Sequence, residues 1–479
     1  MKTLGLVPPS FGSLDSVGAR NPGRRRTKSQ WFPIWPAYPV GLIKGAKLFD
    51  STVVDAKPEQ VLDMAEDYDL IFIHSSEASL HLELKFAKLL KERKKDVLIV
   101  LGGQCATVMG RELIQNSCID AVAIDEYDYT IQEISEKGDI NVKGVLTKDG
   151  FTEPRERPQN LDALPWVSKV YKENLPIKKY YLPFVQRPYV SIFDSRGCLA
   201  NCSFCLSPQT FTSHHADGSH FRVRYRSVDD TIAEIEWIKK NLRVREVFVD
   251  SDTFTDRTSI TNGRLKDFCE KIRPLDIKWS CNVRGDASYE TLKMLKDANC
   301  RLIVTGFESY NDAQLQAIQK GVTTKQYDSF AQNVRRADLK IQSCWIIGLP
   351  GETWETVENN MKFVLKTRPN NLQVAPAHAL KGTSLYKWAS DNGYIGLPLF
   401  NKRGQQLPQI SQPQFTAEDT SRAIDMMYRR YFLSFGCLKT VLRDFLTGGA
   451  GERERIIRDI TEFSKDSLQR LLATQTLNN

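Results

Sequence analysis

Three cysteines, Cys198, Cys202 and Cys205, stand at CxxxCxxC spacing with Phe204 just before the third. The chain has 10 cysteines in 479 residues, so chance fills a given position about one time in fifty, and a three-residue match at one place is poorly explained by composition. Thiolates suit two centres. One is a zinc ion completed by His214, His215 or His220, although the paired CxxC knuckles usual in structural zinc sites are missing. The other is a four-iron cluster, which three protein thiolates leave with one iron open to a chelating small molecule. Cys269, Cys281, Cys300, Cys344 and Cys437 are isolated in sequence and read as ordinary buried residues, so no second cluster is expected.

The elements that must position these cysteines read as α/β throughout. Residues 1–151 alternate buried strands, clearest at 70–74, 97–101 and 118–124, with helical patterns at 80–93 and 107–115, as a Rossmann-like parallel-sheet domain does. Residues 152–188 carry Pro154, Pro158, Pro165, Pro176, Pro183 and Pro188 and read as a linker. From 189 to 393 strands are expected at 189–194, 246–250, 278–283, 301–307, 341–349 and 371–375, with helices at 229–240, 289–298, 325–337 and 354–366. That series suits a partial (β/α)6 barrel, whose chemistry lies at the carboxyl ends of its strands. Residues 394–479 read as a loop and helices, with Ile456, Ile457, Ile460, Phe463, Leu468 and Leu471 near helical spacing. A helix packed on the body is the reading for that stretch, with peripheral membrane contact as the alternative.

Strand ends carry the remaining candidates. Asp250 and Asp252 follow the second strand, where they could meet an ammonium group or simply cap a helix. Arg284 ends the third, where a guanidinium can grip a carboxylate. Glu308 and Ser309 end the fourth, and Gly348 and Gly351 the fifth. In cysteine spacing, Phe204 and this order of motifs, residues 190–390 resemble radical S-adenosylmethionine (SAM) enzymes. The resemblance implies a 4Fe-4S cluster on Cys198, Cys202 and Cys205 and SAM chelated to its open iron. It also places Asp250, Asp252, Arg284, Glu308, Ser309, Gly348 and Gly351 around that cofactor, and makes a flavodoxin or ferredoxin-type protein the reductant.

Residues 1–151 are similar to the cobalamin-binding domains that precede many radical SAM barrels, in Pro8-Pro9, Tyr68-Asp69, Gly102-Gly103 and Asp120 followed by Glu126. The Asp-x-His-x-x-Gly loop of some cobalamin proteins is absent, and His74 instead follows a strand. Between Pro36 and Phe49 the first crossover reads as too brief for a helix plus a strand, which points to a damaged pocket and weighs against bound cobalamin. Within the family, Lys2-Thr-Leu through Pro8-Pro-Ser-Phe11, Trp31-Phe-Pro-Ile-Trp35, Asp125-Glu-Tyr-Asp-Tyr-Thr130 and Pro208-Gln-Thr210 leading to His220-Phe-Arg222 resemble the hopanoid-biosynthesis radical SAM proteins. That likeness implies ring contraction of a sugar or polyol headgroup on a lipid, with cobalamin-dependent methyl transfer as the alternative. Asp125 stands where related domains have glycine, and residues 211–218 look inserted.

Composition narrows partners. The hydrophobic fraction of 41% and charged fraction of 26% are those of globular proteins. A net charge of +8, from 66 basic and 58 acidic residues, is mild and does not imply nucleic acid. The basic run at 24–28 beside Trp31, Phe32 and Trp35 reads as an amphipathic entrance or as a hydrophobic staple between domains. Nothing approaches the twenty or so apolar residues of a spanning helix, and no signal-peptide pattern opens the chain, so a cytoplasmic enzyme acting on a small molecule or lipid-linked sugar is expected.

Overall fold

The computed structural model describes residues 1–11, 29–207, 213–214, 220–221, 223–398 and 407–461. In the front half, β1 (Thr3–Val7), β2 (Lys47–Asp50), β3 (Leu70–His74), β4 (Leu98–Gly102), β5 (Ala121–Ala123), β6 (Val145–Thr147) and β7 (Gly150–Phe151) form one sheet in the order β2-β1-β3-β4-β5-β6-β7. The first five run parallel and the last two turn back antiparallel. Parallel strands buried on both faces read as unbroken apolar runs, and Leu70-Ile-Phe-Ile is one. Ile71 and Ile73 face a core filled by Phe86, Leu90 and Met109 from the helices Leu80–Arg93 and Gln104–Leu113. Leu70 and Phe72 face the other way, into a core shared with the second half of the chain.

The first crossover is complete, contrary to the sequence reading. Ile34–Leu42 forms a helix and Lys47–Asp50 a strand in register with Leu4 to Val7. Two prolines disguise the helix. Pro36 sits in its first turn, where a missing amide costs nothing, while Pro39 forgoes one bond inside it. Tertiary burial of Ile34, Ala37, Tyr38 and Val40 overrides the poor local propensity.

The second sheet is built from β8 (Tyr189–Ile192), after which β9 (Ser195–Gly197), β10 (Ser213–His214), β11 (His220–Phe221) and β12 (Val223–Tyr225) form two small antiparallel pairs, β9 with β12 and β10 with β11. The main series resumes with β13 (Glu246–Val249), β14 (Lys278–Asn282), β15 (Cys300–Glu308), β16 (Lys340–Ile347) and β17 (Asn371–Pro376). Six strands in the order β8-β13-β14-β15-β16-β17, all parallel, make the expected open partial barrel. Its helices start cleanly because Ser227, Ser288, Thr323 and Thr353 each accept a hydrogen bond from the first turn. Of the cysteines read as isolated, Cys269, Cys281 and Cys300 meet in this core, where burial and one another's proximity push the Cys269 and Cys281 thiols up.

The 152–188 stretch is a packed connector: its helix Val167–Asn174, with Tyr171, Tyr180 and Leu182, lies in the shared core. Phe32 stacks on Tyr180 at 4.0 Å, and Trp31 meets Phe184 and Phe248, so these aromatics are a staple rather than an entrance. Arg24, Arg25 and Arg26 lie outside the described residues. So do Phe463, Leu468 and Leu471, while Pro208-Gln-Thr210, His215, Arg222 and the side chains of His214 and His220 are likewise not described.

Helix Ala417–Phe432 covers β17, where the Tyr428 hydroxyl accepts from the Val374 amide at 2.9 Å. Helix Phe435–Thr447 follows, then a helix over 450–461 that plugs the amino end of the barrel. Among the described residues no helix is long and apolar enough to cross a membrane. At the plug, buried Glu452 pairs with Lys340 (2.9 Å), Arg455 (2.9 Å) and Arg301 (3.4 Å) and accepts from Gln186 (2.9 Å). Burial would raise its carboxyl, but Arg455, Arg301 and Lys340 overcome that and hold it far below the usual range. Replacing Glu452 by Ala takes a shared carboxylate from three cations that keep only Asp444, Asp459 and Glu246 as partners, and we expect a loss of about 2 kcal/mol in urea unfolding at neutral pH. Because the folded value is depressed, this contribution is complete above about pH 5 and fades as pH falls below the unfolded carboxylate value of about 4.3. Wild type and variant should therefore converge in acid, and a pH-independent gap would contradict the assignment.

Candidate functional site

The cysteine loop hangs between the two halves of the molecule. After β8 the chain turns through Phe193 and Asp194 into β9, whose Arg196 lies opposite Arg224 of β12. Gly197, at φ 101°, then swings the chain out to Cys198. Arg196 is buried and reaches across to the front sheet, donating to Glu126 (2.7 Å) and to both oxygens of Asp128 (2.7 and 3.0 Å). It also lies over the rings of Trp35 (4.7 Å) and Tyr38 (4.5 Å). Arg224 meets Glu126 from the same ribbon and donates to the Pro158 carbonyl (2.6 Å). Burial would raise the Glu126 carboxyl, but Arg196 and Arg224 hold it below its ordinary value.

The three thiols are half-buried. The Ala200 amide points at Cys198 Sγ and the Ser207 amide at Cys205 Sγ, each at 3.4 Å, the kind of N–H···S contact that supports cluster thiolates. The loop is pinned on both sides, its Ser203 amide donating to the Ile318 carbonyl and its Ser203 carbonyl accepting from Leu385, each 2.9 Å. Burial pushes all three thiols up, Cys205 to about 12 with Asp252 adding to the effect. A metal must therefore displace their protons on binding. Among the described residues no three His, Cys, Asp or Glu side chains gather around one point. A cubane does not ask for that, since each thiolate takes an iron of its own.

Two groups of strand-end residues face this loop. On one side, Asp252 accepts from Ser207 (2.7 Å), and Thr253 lies 3.7 Å from the Cys198 sulfur. Asp250, two residues earlier, accepts from Asn282 at 3.4 Å. Neither aspartate is the helix cap, a task done by Asp256 for Arg257–Thr261. On the other side, Glu308 ion-pairs with Lys320 at 2.8 Å, and the Lys320 ammonium lies 5.9 Å from the Phe204 ring. Glu308 has φ 64° at a bulge in the β15–β16 register, and a Cβ on Gly306 would collide with its carboxylate. The Arg284 guanidinium donates to the carbonyls of Lys320 and Gly321 and to Asp286 (3.1 Å). Lys320 and Arg284 both bear electrostatically on Cys202.

The remaining candidates are held elsewhere. The Ser309 hydroxyl is buried and donates to Gln314 at 2.5 Å. Gly348 (φ 93°) and Gly351 (φ 75°) shape a turn whose amides donate to Glu352 (2.8 Å) and Gln412 (3.0 Å). Sequence reasoning missed Lys320, Ser207 and Gln412, because each matters through a partner far along the chain. The Glu126 and Asp128 clamp lay inside a motif singled out only for its likeness. Asp125 has φ 66°, which explains the glycine of related domains at that position.

The front sheet has its own candidate site at the carboxyl ends of its strands, where β1 and β3 part to opposite sides and ligands of such sheets bind. There Gly103, at φ 100°, approaches the His74 ring so closely that a Cβ would sit 2.6 Å from it. The ring stacks parallel to Trp35 at 6.0 Å and shares a 2.9 Å hydrogen bond with the Tyr127 hydroxyl. Behind it, Glu83 is buried and its carboxyl is pushed up to about 7 against the hydrogen bonds it accepts. Glu83 Oε2 and Ser75 Oγ have no hydrogen-bond partner among the described residues. The His74 ring covers Gly103, so what this edge offers a polar cofactor tail is the pair of buried oxygens on Ser75 and Glu83.

Removing the ammonium of Lys320 while keeping its stem, as Lys320→Met, should leave Glu308 buried and unpaired and cost about 3 kcal/mol of stability. Adding Glu308→Gln should return part of that loss; strict additivity of the two changes in urea unfolding would show that the pair is not coupled.

Residues 192–364 match the family model described as Radical SAM superfamily. An uncharacterized methyltransferase of Pyrococcus horikoshii is 27% identical over 90% of this chain and 93% of its own length. The anaerobic magnesium-protoporphyrin IX monomethyl ester cyclase of Rubrivivax gelatinosus is 23% identical over 94% and 81%. Among solved structures, the radical S-adenosylmethionine methyltransferase TsrM of Kitasatospora setae, with cobalamin and a [4Fe-4S] cluster bound, aligns with TM-score 0.63 at 14% identity over 98% of this chain and 100% of its own. The cobalamin-dependent S-adenosylmethionine radical enzyme OxsB aligns with TM-score 0.63 at 15% identity over 96% and 71%.

Proposed function

We propose that this chain, whose residues 192–364 match the Radical SAM superfamily model, is a radical SAM enzyme using a 4Fe-4S cluster and S-adenosylmethionine, and that it is a cobalamin-dependent methyltransferase acting on a small molecule. The observation that carries this reading is the intact front sheet: the helix and strand whose loss argued against a cobalamin pocket are both present. The relatives point the same way, favouring methyl transfer over ring contraction of a hopanoid headgroup.

In this reading Cys198, Cys202 and Cys205 hold the cluster, and the carboxyl edge of the front sheet, at Ser75, Glu83 and Gly102-Gly103, holds cobalamin. When bound, the cluster supplies an electron to the sulfonium and cobalamin supplies a carrier for the methyl group. The chain's own residues do the positioning. Asp250 and Asp252 offer carboxylates to the ammonium end of S-adenosylmethionine, and Lys320 and Arg284 supply positive charge for its carboxylate. Glu308 orients Lys320, and the Gly348–Gly351 turn lets backbone approach the adenine. Arg196 fixes the distance between the two cofactor sites, because it is anchored to the front sheet two residues before Cys198.

Protein purified and reconstituted without oxygen should carry iron and sulfide and retain cobalamin. Cys198→Ala, Cys202→Ala and Cys205→Ala should each lose the iron–sulfur absorbance while the protein stays folded, and wild-type iron content in any of them would refute the ligand assignment. With methyl-labelled S-adenosylmethionine, label should pass to product alongside adenosylhomocysteine. A product of unchanged mass with only deoxyadenosine formed, and no cobalamin retained, would instead restore ring rearrangement.

A further inference from the structure

Helix Phe435–Thr447 is amphipathic with its apolar stripe turned outward. Phe435, Leu438, Leu442 and Leu446 recur at three- and four-residue spacing and all stand in solvent, Phe435 81% and Leu446 64% exposed. Leu433, just before the helix, is 75% exposed, and Ile457 and Ile460 of the next helix are each 55% exposed. A surface helix normally turns such a stripe inward. Here the inward face carries Cys437 and Asp444, and the helix is anchored by polar contacts, with Asp444 accepting from Asn370 (2.7 Å) and pairing with Lys340 (3.0 Å).

The charges around the stripe have one sign. Lys439 projects beside it into solvent, and Arg443, also exposed, reaches back to Asp444 (3.2 Å), the sole acid of the helix, which is buried on the opposite face. Arg453 reaches over from the following helix to lie 6.0 Å from the Phe445 ring. Glu454, the nearby exposed acid, is paired with Arg245 at 2.6 Å. We propose that this face docks on an anionic phospholipid surface, with the leucines and Phe435 among the acyl chains and Lys439, Arg443 and Arg453 at the phosphates. An apolar stripe flanked by cations, with no unpaired acid on its side among the described residues, is the pattern of a helix lying in the headgroup layer. A second copy of the chain fits less well, because a two-fold contact through the stripe would bring Lys439 and Arg443 against their own copies. The proposal does not depend on the methyltransferase reading.

The test is sedimentation of the full-length protein with vesicles of phosphatidylglycerol and phosphatidylcholine, or of phosphatidylcholine alone. Binding should be at least tenfold stronger to the anionic vesicles and should weaken with added salt. Leu438→Glu with Leu442→Glu should reduce it at least tenfold with an unchanged melting curve, and Lys439→Ala with Arg443→Ala should remove the preference for anionic lipid. No sedimentation of wild type with anionic vesicles, or equal binding by the leucine variant, would overturn the proposal. A wild-type dimer that the leucine variant converts to monomer, without vesicle binding, would overturn it in favour of a second copy.

Discussion

Everything at the site depends on two arginines removed from water. Arg196 and Arg224 face each other across the short β9–β12 ribbon, and both reach Glu126. Taking such charges out of solvent costs several kcal/mol per ion unless partners offset it. Glu126 and Asp128 balance the two guanidinium charges, and Trp35 and Tyr38 cover Arg196 with ring faces. Loss of any one member leaves the others buried and uncompensated, so the cluster has a single arrangement. That arrangement sets where the cysteine loop begins, because β9 ends at Gly197 and the next residue is Cys198.

The cysteine loop inherits its position from this clamp and its shape from smaller contacts. Ser203 ties it to the Ile318 carbonyl and to Leu385, so both the β15 side and the end of the barrel series hold it. The electrostatics are then unequal along the loop, with Asp252 acting on Cys198 and Cys205, and Lys320, the opposing Glu308 and Arg284 acting on Cys202. The three sulfurs therefore sit in different fields, Cys202 near an ammonium–carboxylate pair and the other two near a carboxylate alone.

The strands, the barrel helices and the thiol triplet were legible in the sequence, because each announces itself locally: Leu70–His74 and Leu80–Arg93 fall where apolar periodicity put them. What was not legible depended on distant partners or on burial overriding propensity. The helix Ile34–Leu42 hid behind Pro36 and Pro39, and that one misreading carried the argument against cobalamin. Lys320 carried no signal in the sequence, because its carboxylate partner is turned toward it only by the bulge at Glu308. Arg284 was read as a grip for a ligand, and its guanidinium is also committed to two backbone carbonyls.

The apolar core runs without interruption from Leu70, Phe72 and Val100 of the front sheet through Tyr38 and Tyr171 to Val190 and Phe248 of the barrel. The two halves are therefore not modules in the sense of beads on a string. Swapping the front domain for that of a relative would have to preserve an entire shared wall of side chains, and cutting the chain between the halves would lay that wall open to water. Evolution of new specificity in such a molecule is channelled into the loops at the strand ends, since the partition between the halves cannot be redrawn piecemeal.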